Sequence, residues 1–420
     1  MKKLKILYFY FRYRWRKVSC LHLCQQKKLK LLFENVISKS PYYRNYSCWS
    51  DIPKINKKEM MKNFDSINTK GLKRDSCIAL AMRAEKERDF SAKENGVTVG
   101  LSSGTSGSRG LFLADDTEEA IWAGHMLAKT LHKGILGRYN IAFFLRANSN
   151  LYENINALRI KMAYYDLKQD TSVLMDKLEI QNPSIIIAPA QVLVHIAKRQ
   201  NQGLLTLRPE RIYSVAEVLD DTDKEFIERV FGLTIDTIYQ ATEGFLGITC
   251  KNKRLHLNEE DLIIERVYMQ GSTTRFHPVI TDLHRRSQPI IKYQLDDVLR
   301  LSEDQNCSCG NQGTVIEKVE GRSDDAFIFS VEGKDTTVFP DMLRQDIAKT
   351  LTSYTNYMAI QRSRNEVDFY TDILSPESER AMAELFNSYS SVPVKVVFEH
   401  YQPTKIENKL RRLQRAFSHE

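Results

Sequence analysis

No run of apolar residues in this 420-residue chain approaches the ~20 that a membrane-spanning helix needs, which excludes an integral helical membrane protein. Cysteine is scarce and odd in number, seven in all, which argues against a disulfide framework and for a reducing, cytoplasmic setting. The apolar stretch Ile6-Leu7-Tyr8-Phe9-Tyr10-Phe11 stops at Arg12, short of a secretory core, and no small-residue cleavage site follows it. Internal repeats and low-complexity tracts are also missing, which excludes solenoids and disordered linkers. What remains is globular. Hydrophobic residues make up 42% and charged residues 27%, and at ~100–200 residues per domain the length implies two or three domains.

Acid is absent from the start of the chain. Lys2, Lys3, Lys5, Arg12, Arg14, Arg16, Lys17, Lys27, Lys28 and Lys30 precede the first acid, Glu34. These ten cations outweigh the overall +8, so the remainder carries −2 and the basic character belongs to the N-terminus. Residues 1–40 read as a basic helical segment ending at Ser40-Pro41. In it Leu4, Leu7, Tyr8, Phe11 and Trp15 recur at helical spacing, and this stripe is expected to pack against the body of the protein. The alternative left open is peripheral contact with an anionic inner membrane face. The basic and aromatic residues form no nucleic-acid-binding module, so no nucleic-acid partner is expected.

From about 97 to 300, strand patterns (Ile141 to Leu145, Ser184 to Ala188, Ile235 to Tyr239) alternate with helical ones (Thr117 to Leu131, Gln191 to Arg199, Thr222 to Phe231). That is an α/β pattern. Beyond Gly321 a smaller α+β unit is expected: strands near 326–331, 357–362, 366–370 and 394–398, with helices near 340–351 and 376–389. Its split β-α-β order suits a mobile lid. The expected division is residues 1–321, a large domain of mixed sheets and helices, and residues 322–420, the small one.

Chemistry-bearing residues fall in five short segments. Ser102, Ser103, Gly104, Thr105, Ser106 and Gly107, with Ser108, Arg109 and Gly110, form a glycine- and hydroxyl-rich loop whose backbone N–H groups can cradle phosphates. It is neither a Walker A loop nor a dinucleotide fingerprint. Ser214-Val215-Ala216-Glu217 and Tyr239-Gln240-Ala241-Thr242-Glu243 offer an aromatic face, a hydroxyl and a carboxylate able to hold Mg²⁺. Asp297, ending Tyr293 to Asp297, can accept from both ribose hydroxyls. Gly321-Arg322-Ser323-Asp324-Asp325 and Lys409, with Lys405 as the alternative, complete the set. Separately, Cys250, His256, Cys307 and Cys309 make a Cys₃His set suited to a structural zinc; the tight Cys-x-Cys also admits reduced buried thiols.

The order of these segments resembles that of the adenylate-forming superfamily of acyl-CoA synthetases, peptide-synthetase adenylation domains and luciferases. The family's phosphate loop reads Ser-Ser-Gly-Thr-Thr-Gly-x-Pro-Lys-Gly; here it is one residue shorter, lacks the proline and has Arg109 for the lysine. The resemblance implies that Ser102 to Gly107 bind ATP phosphates, with Arg109 as the loop cation. It assigns the adenine turn to Ala216 and Glu217, adenine stacking to Tyr239 and the α-phosphate to Thr242. It further implies Mg²⁺ on Glu243, ribose on Asp297, ribose or phosphate on Arg322, a hinge at Asp324, and Lys409 as the catalytic cation. The Cys/His cluster, Ser40 to Arg44 and Ala188-Pro189-Ala190 are similar to the phenylacetate-CoA ligase and CapK-like branch, which includes deazaflavin-coenzyme synthetases, and that branch points to surface-polysaccharide genes.

The expected function is therefore an ATP-dependent ligase that activates a carboxylic acid as acyl-AMP and passes it to a thiol, with coenzyme A as the acceptor. Two alternatives stay open: transfer of AMP to a hydroxyl acceptor, and a catalytically silent scaffold at a membrane. Residues 146–152 and 244–247 are expected to line the acyl pocket, but their mixed polarity names no acid. The acceptor and a homodimer are likewise left open.

Overall fold

The computed structural model describes residues 2–15, 20–102, 109–145, 159–351, 356–402 and 409–417. Its centre is a large mixed sheet. Five parallel strands run Ile160–Asp166, Tyr139–Leu145, Ile185–Ala188, Arg211–Val215, Asp236–Ala241; the sheet then turns antiparallel through Gly244–Thr249, Leu255–Leu257, Val315–Arg322, Asp297–Leu301, Arg275–Asp282 and Leu262–Tyr268. The parallel strand Ile185–Ala188 is buried along its whole length, as expected where helices cover both faces. The helices Asp116–Thr130, Ala190–Asn201 and Asp221–Phe231 fall where the periodicity places them. Asp115 caps the first of these, accepting from Glu118 N at 3.0 Å while the Glu118 side chain returns to Asp115 N at 2.6 Å.

The basic segment is two helices, not one: Lys2–Trp15 and Leu21–Asn35, followed by a single 3₁₀ turn, Ile37–Lys39. The first corrects the expectation for its apolar stripe. Ile6, Phe9, Tyr10 and Tyr13 are the buried residues, packed on helix Asp116–Thr130, while Leu4, Leu7, Tyr8 and Trp15 are exposed. Both faces are apolar, so helical spacing could not tell which one docks. Shape decides: Gly124 lies so close to the crossing that a Cβ there would meet Phe9 Cβ at 2.5 Å and Tyr10 N at 2.8 Å. Burying each such side chain is worth roughly 1.5–3 kcal/mol, so the docked face holds the helix firmly.

After Arg322 the chain forms a hairpin, Phe327–Val331 with Lys334–Val338, and a four-stranded sheet in the order Lys395–His400, Glu366–Thr371, Tyr357–Ser363, Leu413–Arg415. Helices Pro340–Thr350 and Pro376–Ser388 join these strands in a core of their own, centred on Phe327, Phe369 and Phe386. The strand Leu413–Arg415 has no counterpart in the sequence reading, because three residues in a basic stretch carry no alternation. Buried ion pairs tie this unit to the large sheet. Asp220 is ion-paired with Arg344 Nε and Arg412 Nε, both at 2.9 Å, and Asp223 accepts from Arg412 Nη2 at 2.9 Å.

Candidate active site

The large sheet changes from parallel to antiparallel beside strand Asp236–Ala241, and open sheets of this kind bind ligands beyond the carboxyl ends of such strands. A cavity of about 550 Å³ lies there. It takes Ala216 and Glu217 from the end of one parallel strand, and Tyr239, Thr242 and Glu243 from the next. Asp297 and Arg322 enter from the antiparallel side, and Lys409 from the small unit. Residues separated by almost two hundred positions thus face one space.

Local geometry explains their orientation. Ala216 adopts φ 66°, a conformation costly for a residue with a Cβ and characteristic of functional turns. The turn aims Glu217 at two partners: Oε2 accepts from Gln191 N at 3.1 Å and Oε1 from Leu410 N at 3.3 Å. Glu217 therefore fastens the residue next to Lys409. Asp297 and Arg322 are register partners across two strands, which fixes their spacing. Arg322 Nη2 donates to Asp296 at 2.8 Å and Nε to Asp324 at 2.9 Å. Asp324 itself occupies the one-turn helix Ser323–Asp325 that leaves the large sheet.

Two tyrosines orient the two carboxylates. Tyr239 donates its hydroxyl to Asp297 Oδ2 at 2.7 Å, and the Tyr293 hydroxyl bonds Glu243. Burial raises the Glu243 carboxyl pKa and nearby Asp297 adds to this, while the Tyr293 bond and Arg285 oppose it. Burial likewise raises Asp297, against the Tyr239 bond and the charges of Lys409 and Arg322. Both carboxyls hold their protons more tightly than exposed ones, and a cation reaching either of them would have to displace that proton. Tyr239, expected to stack on adenine, is a buried residue of the cavity wall with its hydroxyl committed to Asp297.

Arg109 is committed to other partners. Its guanidinium grips Glu85 with bonds of 2.8 and 2.5 Å, and its Nε donates to Ser102 O at 2.8 Å; both partners line the cavity, while Arg109 itself does not. Ser102 closes the base of the loop, its Oγ accepting from Gly110 N at 2.7 Å. Ser103, Gly104, Thr105, Ser106 and Gly107 lie outside the described residues, as do Lys405 and residues 146–152.

The cation that does line the cavity beside the loop is Lys57, which sequence reasoning missed. It opens helix Lys57–Lys62 behind the N-cap Asn56, whose side chain accepts from Glu59 N. A Cβ on Gly110 would lie 3.3 Å from Lys57 Cε. Burial and Arg322 lower the Lys57 pKa, against Glu243, Asp296 and Asp324. No motif marks it, because it stands 45 positions before the loop in a lysine-rich stretch. The cap Asn56-x-x-Glu59 was the only legible signal.

The cavity is also lined by Phe112, Trp122, Phe143 and Phe245, and by charged residues including Asp282 and Arg285. Its wall includes His125, Asp261 and His284, members of a buried charge cluster that sequence reasoning also missed. Asp261 receives Lys28, His284 Nε2 (3.0 Å) and His125 Nδ1 (3.0 Å), and Glu260 receives His125 Nε2 (3.0 Å) and Lys129 (2.7 Å). Tyr13 stacks on His125 with ring centroids 4.0 Å apart.

Cys250, His256, Cys307 and Cys309 converge beside the interior strands Gly244–Thr249 and Leu255–Leu257, with ligand atoms all within 4.8 Å of one another. The Cys250 and Cys307 sulfurs are 3.8 Å apart, the tetrahedral edge that Zn–S bonds of about 2.3 Å produce. His256 Nδ1 sits 2.8 Å from Gly313 O, which turns Nε2 toward the sulfurs. The residues present fit a structural zinc, which would clip hairpin 244–257 to the segment after strand Asp297–Leu301. Zinc measured on purified protein is expected near one per chain, and Cys307→Ser is expected to lose it and lower the unfolding midpoint. Equal zinc in both proteins would show the cluster to be plain thiols.

No family model matches the chain. Among curated proteins it is similar to Protein CapK of Staphylococcus aureus, 21% identical over 295 residues. That match takes in 66% of this chain and 59% of CapK, so it spans less than two thirds of the relative. Among solved structures it is similar to a 2-hydroxyisobutyryl-CoA ligase in the post-adenylation state with 2-HIB-AMP. The TM-score is 0.64 at 15% identity, over 92% of this chain and 87% of that one. The same enzyme in an open conformation with 2-HIB-AMP and CoA gives 0.51. The amide bond synthetase McbA of Marinactinospora thermotolerans gives 0.53 at 13% identity, over 75% and 68%. The chain has the fold of adenylate-forming ligases.

Proposed function

We propose that this protein is an ATP-dependent ligase that activates a carboxylic acid as its adenylate. The observation that carries this reading is the meeting of Thr242, Glu243, Asp297, Arg322 and Lys409 in one cavity of an adenylate-forming fold. A substrate carboxylate oxygen attacks the α-phosphorus of ATP, the bond to the bridging oxygen breaks, and pyrophosphate leaves with its electron pair. Negative charge builds on the α-phosphate and on the leaving group. Lys409 meets that charge in a site screened from water, where a fixed cation acts most strongly. Thr242 donates to the α-phosphate, Asp297 accepts from ribose, and Ala216 and Glu217 flank the adenine. Bound Mg²⁺, held by Glu243, neutralises phosphate charge.

Residues 1–321 form the ATP- and acyl-binding domain in this reading, and residues 322–420 the lid that turns at Asp324. Once the lid withdraws, a thiol attacks the acyl carbonyl and AMP departs; coenzyme A is the proposed acceptor, in a phenylacetate-CoA ligase-like reaction. Lys57 takes the loop-cation role that Arg109, held on Glu85, leaves unfilled. ATP–pyrophosphate exchange over a panel of aryl, fatty and amino acids tests the reading. Exchange with at least one acid is expected, and none in zinc-replete protein would overturn it. With such an acid, Lys57→Ala is expected to raise the ATP concentration for half-maximal exchange about tenfold or more, as loss of a charge-assisted phosphate contact should. Arg109→Ala is expected to stay within about threefold; the reverse ranking would return the loop-cation role to Arg109.

A further inference from the structure

Helix Lys2–Trp15 has two apolar faces, and only one is used. With Ile6, Phe9, Tyr10 and Tyr13 committed to helix Asp116–Thr130, the opposite face carries the exposed Leu4, Leu7, Tyr8 and Trp15, while Phe11, half-buried, packs against the core at its margin. Leu4 is 72% exposed, Tyr8 61% and Trp15 73%, values that a large apolar side chain reaches only on an unpartnered surface. Trp15 stacks on Phe11 with centroids 4.5 Å apart, so the aromatic end of the stripe is already ordered. At about 100° per residue, Lys5 and Arg12 border the stripe on one side and Lys3 and Arg14 on the other. All four are exposed, and the helix contains no acid.

We propose that this face is a docking surface for an anionic lipid bilayer, with the helix lying in the plane of the headgroups. An apolar stripe rich in Trp, Tyr and Leu enters the acyl boundary, while bordering Lys and Arg keep their charges at headgroup level. The tight crossing at Gly124 presents the stripe as a fixed ridge, so little ordering is needed on contact. A spanning role is ruled out by length, since 14 residues reach only about 21 Å. A second copy of the chain fits poorly. A two-fold pair places the same surface on itself, so Lys3 and Lys5 would face Arg12 and Arg14 of the other copy, like charge against like. The following helix repeats the chemistry, with exposed Leu23, Lys27, Lys30 and Leu31 recurring on one face. This inference stands apart from the proposed ligase activity, because it uses no residue of the cavity.

The test is co-sedimentation of the full chain with vesicles of phosphatidylglycerol and phosphatidylcholine, beside vesicles of phosphatidylcholine alone, at ~0.1 M salt. Binding to the anionic vesicles is expected, with at least a tenfold loss on the neutral ones. The double variant Leu4→Glu with Trp15→Glu is expected to lose binding at least tenfold. Its unfolding midpoint and pyrophosphate exchange should not change, since neither side chain touches the docked face. Lys3→Glu with Arg12→Glu, which leaves every apolar contact in place, should lose binding comparably. Wild-type binding by either variant, or no binding by the wild type, overturns the proposal. So does a concentration-dependent dimer that the double variant abolishes, which would assign the face to a second copy.

Discussion

Replacing Lys409 with alanine is expected to lower ATP–pyrophosphate exchange about 10²–10³-fold while ATP affinity stays within about threefold, measured with an acid that supports exchange. The size follows from removing one preorganised charge donor aimed at developing charge. The asymmetry follows from its position. Ground-state ATP retains Asp297, Arg322, Thr242 and Lys57, all outside the segment that carries Lys409. Lys409 is delivered by a short stretch in which each following residue is anchored: Leu410 N on Glu217, Arg411 Nε on Asp325 at 2.9 Å, and Arg412 on Asp220 and Asp223. Arg412 also stacks over the Tyr357 ring at 5.0 Å. An ammonium held this way is in place before charge develops. An unchanged exchange rate would remove Lys409 from the chemistry and leave Lys57 as the candidate for both roles.

Asp261→Ala is expected to destabilise the protein by about 3–5 kcal/mol, read from urea unfolding, because it removes the carboxylate from buried Lys28 and from His284 and leaves His125 only Glu260. Burial alone would raise the Asp261 pKa, but His284, Lys28 and His125 hold it well below the usual carboxylate range. Glu260, opposed by burial but helped by Lys129 and His125, is held down at about 2. Carboxylates lowered in this way contribute stability above their unfolded values near about 4, and the contribution fades as pH falls toward the folded values.

His125 works in the opposite sense. Burial would lower its pKa, but the bonds and charges of Asp261 and Glu260 raise it, so its contribution is complete below about 6.5 and fades as pH climbs through the folded value. Tyr13, which stacks on His125 and bonds Asp261, has its pKa raised well above the ordinary range and stays neutral through this window. The cluster therefore makes the wild type most stable between about pH 4 and 6.5. In Asp261→Ala that maximum should flatten. A loss under about 1 kcal/mol with the pH profile intact would show that the cluster contributes nothing net.

Where the sequence was legible, local patterns sufficed. Three of the five parallel strands and their covering helices, the strand after Asp325 and the helix opening at Pro340 follow from periodicity and breakers that act over a few residues. Thr242-Glu243, Asp297, Arg322-Asp324 and Lys409 could be named because each sits in a short motif with its own chemistry, and all of these line or border the cavity. The four zinc-ligand candidates were legible for the same reason, since thiols and imidazoles at close spacing have few other uses.

What the sequence by itself determined is the fold class, the order of the chemistry-bearing segments, and the cationic start of the chain. Three things were decided only by the tertiary structure. It set Lys57 in the cavity wall and paired Arg109 with Glu85, a wall residue on a neighbouring helix. It assembled the cluster around Asp261 from residues up to 256 positions apart, none of which carries a local signature. And it turned Leu4, Leu7, Tyr8 and Trp15 of the expected stripe outward, leaving only Phe11 against the core, because the opposite face fits over Gly124. The reason is the same in each case. Spacing along a chain fixes which side chains share a face, whereas the partner a face meets depends on long-range packing that spacing does not encode.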